Sequence, residues 1–235
     1  MPAWLHALSI ASLGLAAACA LLIVVDLLRR PQPMAVMDVV WPVSALFGSL
    51  AWLAFYWRHG RAAPRGARRP PHDRPASFAV QVAKATSHCG SGCTLGDVVA
   101  ETWALGMPAV LVPFGWPGLW PDRTFATWGL DFVLAYLLGI VFQYFTIAPM
   151  RHLGPAAGLW AAVKADTLSL LAWQVGMYGG MAVAKFAVFR DWLGVEVDAS
   201  RPEFWFAMQL AMVLGFLTAA PVNAWLLRRG WKEAM

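Results

Sequence analysis

Apolar residues run in six long stretches, at 3–28, 38–57, 94–112, 125–147, 159–189 and 204–227. A hydrocarbon core of about 30 Å takes about 20 helical residues, so the pattern predicts an all-α polytopic transmembrane helix bundle of about six spans. Prolines punctuate the gaps: Pro31 and Pro33, then Pro113, Pro117 and Pro121, then Pro149 and Pro155. Proline cannot sustain the helical hydrogen-bond ladder, which places loops there. The third stretch is the weakest, because it carries Asp97 and Glu101. The fifth is long enough to tilt or to leave the membrane at its ends. Ahead of the third, residues 77–92 mix Phe78, Val80 and Val82 with Gln81 and Lys84, the pattern of an interfacial helix leading into a span. The first stretch exceeds a signal-peptide core and follows no basic segment, so it reads as a retained helix.

Composition agrees. Hydrophobic residues make up 60% of the 235 and charged ones 13%, with a mean hydropathy of +0.57. Soluble domains carry roughly a quarter charged residues. The net charge of +5 does not point to nucleic acid, since six of the 18 basic residues crowd into the Pro/Gly-rich 58–74 stretch without interleaved aromatics. Such a cluster reads as a cytoplasmic anchor facing anionic lipid. With the basic C-terminus it favours both termini in the cytoplasm; Arg29 and Arg30 argue the other way. The chain then divides into an N-terminal transmembrane hairpin (1–57), a basic cytoplasmic linker (58–77) and a transmembrane domain of about four spans (78–235).

Three groups of residues carry candidate chemistry. His88, Cys89 and Cys93 gather two thiols and an imidazole around Gly90 and Gly92, a set that suits a soft metal but is one ligand short of a closed zinc site. Equally, the glycines there could break a helix and leave the thiols as packing. Met177 and Met181 in the fifth stretch, and Met208 and Met212 in the sixth, are each four apart and so share a helix face. Thioethers select monovalent copper, although methionine is also a common gap-filler. Asp97 and Glu101 continue the Cys93 stripe at four-residue steps, and Asp131 and Asp166 lie in the next two stretches. Ionisable groups within spans mark ion or proton paths or pair with partners. Gly176 and Gly180 allow close helix approach. No Walker loop, dinucleotide fingerprint or HExxH motif is present.

The segments His88-Cys89-Gly90-x-Gly92-Cys93-Thr94-Leu95-Gly96-Asp97, Phe142-Gln143-Tyr144-Phe145, Lys164-Ala165-Asp166-Thr167, Pro221-Val222-Asn223 and Gly230-Trp231-Lys232-Glu233 together resemble a bacterial membrane family catalogued as domain of unknown function 4396. The resemblance runs from about Phe78 to the C-terminus. It implies a multi-pass protein of the bacterial inner membrane, sometimes labelled copper-related, and brings no established site residue.

The leading expectation is a membrane protein that binds or conducts monovalent copper. His88, Cys89 and Cys93 would form one site, Met177, Met181, Met208 and Met212 a relay, and Asp97 and Glu101 a cation or proton attractor. The alternatives are a redox enzyme or metal-centre assembly factor using the cysteine pair, and a proton-coupled transporter or channel using Asp97, Glu101, Asp131 and Asp166 without metal. The expected partners are the lipid bilayer and a metal ion, with a homo-oligomer or a larger complex open and no nucleic acid.

Overall fold

The computed structural model describes residues 1–64 and 76–233, and among these every regular element is helical. The helices are α1 (Ala3–Arg29), α2 (Ala35–Phe55), α3 (Phe78–Gly106), α4 (Arg123–Met150), α5 (Pro155–Ala182) and α6 (Pro202–Arg228). Wider π turns extend α2 through Tyr56–Gly60 and α5 through Val183–Trp192, and a 3₁₀ turn, Pro108–Phe114, follows α3. Local chemistry fixes the starts. The Asp122 carboxylate accepts from the Thr124 amide at 2.9 Å, and Pro155 and Pro202 open α5 and α6, where no amide hydrogen is needed.

Among the described residues, four segments are long and apolar enough to cross a membrane: Ala3–Arg29, Ala35–Gly60, Arg123–Met150 and Pro202–Arg228. Phe78–Gly106 makes a fifth when taken with Pro108–Phe114, from which it is bent by 113°. α5 is as long as α4, at 28 residues, but Gln174, Tyr178 and its glycines make it less apolar. The segment over 77–92, expected as an interfacial helix leading into the third stretch, is helical from Phe78 and continuous with it as the first half of α3. The glycines at 90 and 92 leave this helix unbroken and serve packing: a Cβ on Gly92 would lie 3.1 Å from the Gly139 backbone of α4.

The 38–57 stretch departs most from expectation, because it does not run straight. Ser49 has φ 45° and ψ −127°, outside any helical region, and the chain reverses there. Trp41 and Tyr56 consequently meet with ring centroids 5.4 Å apart, and Gln32 donates to the Gly60 carbonyl at 2.9 Å. Arms 35–48 and 50–60 therefore form a helical hairpin that enters and leaves at one end of the bundle. Its tip is seated on the other helices: Ser44 and Ser91 hydroxyls meet at 3.1 Å, Trp52 donates to Ser87 at 3.1 Å, and Phe47 packs edge-on against Trp173. The reversal frees the carbonyl of Leu46, which accepts from the Gln209 amide at 2.6 Å.

α1 and α6 run parallel, as the pairs His6–Glu203 and Ser12–Gln209 show, each at 2.8 Å. The chain therefore begins at one end of the bundle and finishes α6 at the other. Placing both termini on one face, as six straight spans require, does not match this path, because the hairpin removes one traverse. The C-terminal end holds Arg29, Arg30, Arg58, Arg61, Arg151, Arg228 and Arg229; the N-terminal end holds Arg123, Arg190 and Arg201. Most of the basic stretch and linker at 58–77 lies outside the described residues.

Candidate functional site

The bundle is apolar outside and polar within. Leu21, Phe145, Val175 and Leu217 are each more than half exposed, whereas Asp97, Asp131, Asp166 and His88 are 0% exposed. Lipid is the medium in which such a surface is at ease. The class is a helical membrane protein with an ionisable interior.

Because α3 is a continuous helix, Cys89, Cys93, Asp97 and Glu101 fall on one stripe at four-residue steps. At 1.5 Å per residue, Glu101 lies about 8 Å, Asp97 about 14 Å and Cys89 about 26 Å from the helix end at Gly106. Asp131, about 12 Å into α4 from the same end, faces Asp97 and Glu101 within Coulombic range. Cys89 lies against both Cys93 and the Asp166 carboxyl of α5, and Gln143 of α4 donates to Asp166 at 3.4 Å. Close packing makes this line possible. A Cβ on Gly96 would overlap the Ala135 backbone of α4, and one on Gly139 would overlap the Asp166 carboxylate.

Many of these polar atoms lack partners. Both carboxylate oxygens of Asp97 and of Asp131, one oxygen of Asp166, the Gln143 carbonyl and both amide atoms of Gln174 are buried without a hydrogen-bond partner among the described residues. Such groups cost several kcal/mol each in an apolar medium when nothing is exchanged with them. A packed core ordinarily pairs its polar groups, so these open acceptors set this interior apart.

At the N-terminal end of the bundle, beyond the Glu101 end of the stripe, lies a cavity of about 530 Å³ that none of the stripe residues lines. Arg123, Lys185 and Arg190 face Asp122, Glu196 and Asp198 around it. Lys185 donates to Thr124 at 2.6 Å, and it and Arg123 lie within electrostatic range of Glu101. Hydrogen bonds from the Ser200 hydroxyl and amide hold the Asp198 carboxyl below the usual carboxylate range. At Asp122 burial acts to raise the value, but hydrogen bonds from Thr124 and the nearby Lys185 and Arg190 outweigh it and the carboxyl is lowered.

The sequence-predicted metal ligands separate. Cys89 and Cys93 stay together, but His88, one residue earlier on the same helix, points about 100° away and meets Thr146 at 2.9 Å. Among the described residues no three His, Cys, Asp or Glu side chains gather as a ligand set. The methionines do converge: Met177, Met181, Met208 and Met212 share one buried cluster with Cys89 and Cys93, and Thr94 donates to the Met212 sulfur at 3.6 Å. Sequence reading missed Gln143, Ser169, Gln174 and Asn223 as interior polar groups. Their signal was an amide or hydroxyl side chain inside an apolar run, which is weaker than a charge.

The profile of the family described as "Domain of unknown function (DUF4396)" matches residues 80–232, and the chain belongs to that family. No curated protein and no solved structure matches it. The family segment covers α3 to α6 and the residue Lys232, so the carboxylate stripe lies wholly within it; α1 and the hairpin precede it.

Proposed function

We propose that the protein is a proton-coupled transporter or channel of the cytoplasmic membrane, with Glu101, Asp97, Asp131 and Asp166 as its path. The observation that supports this reading is that the buried carboxyls of Asp97, Asp131 and Asp166, at successive depths on α3, α4 and α5, hold oxygens without a partner among the described residues. Cys93 and Cys89 bridge the interval between Asp97 and Asp166.

In the same reading the chain makes five crossings, α1, α3, α4, α5 and α6, with 35–60 as a re-entrant hairpin. Non-helical backbone at membrane depth is tolerated where protein covers it, as Gln209 does for Leu46. The C-terminal end, rich in arginine, then faces the cytoplasm by the positive-inside rule and the N-terminus faces the opposite side. Arg29 and Arg30, which opposed six straight spans, join the other cations on that face. A hydrophobic carbodiimide, which couples to carboxyls shielded from water, tests the path. Modification mapped by mass spectrometry to Asp97 or Asp131, with loss of proton flux, supports it; modification of exposed acids alone removes it.

A second reading, the conduction of monovalent copper, is supported by the six sulfur atoms in one buried cluster. Changing Met177, Met181, Met208 and Met212 to leucine tests it. The volumes barely change, so packing alone costs below about 1.5 kcal/mol per site. Retained folding with lost copper uptake supports the metal reading; unchanged copper handling removes it.

A further inference from the structure

The C-terminal tail inserts a cation into the bundle. After α6, Gly230 takes φ 67° and turns the tail back toward the helices. Trp231 packs against Trp225 at 5.4 Å and receives the Lys164 ammonium over its ring at 3.9 Å. Arg151, from the loop after α4, donates to the Gly230 carbonyl at 2.8 Å and pairs with Glu233. Held between these anchors, Lys232 points inward and is only 2% exposed. Its ammonium donates to Asn223 Oδ1 at 2.6 Å and to Ser169 Oγ at 3.4 Å. Asn223 is itself oriented by donating to Ser169 Oγ at 2.8 Å and to the Ala219 carbonyl at 3.0 Å.

No carboxylate forms an ion pair with Lys232 among the described residues. The acidic residue closest along α5 is Asp166, one turn before Ser169, with one oxygen buried and without a partner among the described residues. An amide oxygen and a hydroxyl, with a carboxyl one turn away, form a small hard-oxygen set that suits one monovalent cation. A divalent ion asks for more carboxylates than this.

We propose that Ser169 and Asn223, with the Asp166 carboxyl one turn earlier on α5, form a binding site for a small monovalent cation at the C-terminal end of the bundle, and that the Lys232 ammonium is its tethered occupant. Withdrawal of Lys232 admits the cation and opens that end. The opening rests on the transport reading, whereas the site stands independently of it.

The experiment uses the full chain. Melting temperatures of the parent and Lys232→Ala proteins are compared in sodium, potassium, ammonium and choline chloride at equal ionic strength, choline being too large to enter. The parent should melt alike in all four salts. Lys232→Ala should gain about 3–6 °C in at least one small cation over choline, and this gain should vanish when Asn223→Leu is added. Equal melting in all salts, or a gain that survives Asn223→Leu, overturns the site.

If Lys232→Ala does not fold, Arg151→Ala loosens the tail and leaves the lysine in place. Acetylation of Lys232 in intact membranes should then rise about tenfold, as for a locally opened segment; an unchanged rate overturns the tethered-occupant assignment. Proton flux in vesicles separates the two claims. Salt-specific melting with no flux in any variant keeps the site and removes the transport reading. Flux in the parent with no salt specificity in Lys232→Ala removes the site and keeps the reading.

Discussion

Gln32 and Gly60 are 28 positions apart in sequence, yet the Gln32 side-chain amide donates to the Gly60 carbonyl at 2.9 Å. A straight helix through the same residues would hold them about 42 Å apart. The contact is therefore diagnostic of the hairpin. Spin labels at Gln32 and Ala62, read by pulsed dipolar spectroscopy, should report a separation of about 20 Å or less once label length is allowed for; a distance near 40 Å is that of a straight crossing.

A consequence for sidedness follows from the parallel run of α1 and α6. Single cysteines placed at Ala3 and at Arg229, in a background lacking Cys19, Cys89 and Cys93, should react with a membrane-impermeant maleimide from opposite sides of the membrane. Reaction of both from one side restores an even number of crossings.

At the N-terminal mouth, Asp198 accepts from the Ser200 hydroxyl at 2.6 Å and from its amide at 2.9 Å. Its folded value is lowered from 3.8, chiefly by the Ser200 hydroxyl bond and then the amide. The ionised form is thus the one the fold favours. Its contribution is fully present above the unfolded value and is lost as pH falls through the lower folded value. The stability gap between the parent and Asp198→Ala should be widest near neutral pH and narrow below about pH 4. A gap that does not change with pH assigns the contribution to geometry instead of charge.

Hydrophobic patterning made the helices legible, along with their approximate limits, because lipid demands long apolar runs. It did not reveal the reversal at Ser49. Gly48, where a Cβ would overlap the Trp52 ring, precedes the reversal, but one glycine within an apolar run does not mark a turn. The reversal is held by partners far away in sequence, Gln209 and Trp173 among them. The stripe Cys93–Asp97–Glu101 was legible from four-residue spacing. The parting of His88 from Cys89 was legible only once α3 was known to be unbroken, since neighbours on a helix diverge by about 100° whereas neighbours in a glycine loop can converge. Lys232 gave little sign of itself, because a basic residue near a C-terminus ordinarily stays in solvent.

The central claim is that Asp97 and Asp131 conduct, and vesicle currents test it most directly. The full chain, reconstituted in liposomes, is given an acid step while inward current and lumenal pH are recorded. The parent should pass protons, and Asp97→Asn and Asp131→Asn, which keep shape and remove the titrating group, should each reduce the flux about tenfold or more while inserting and melting like the parent. Flux equal to the parent's in both variants, or a parent indistinguishable from empty vesicles, contradicts the account.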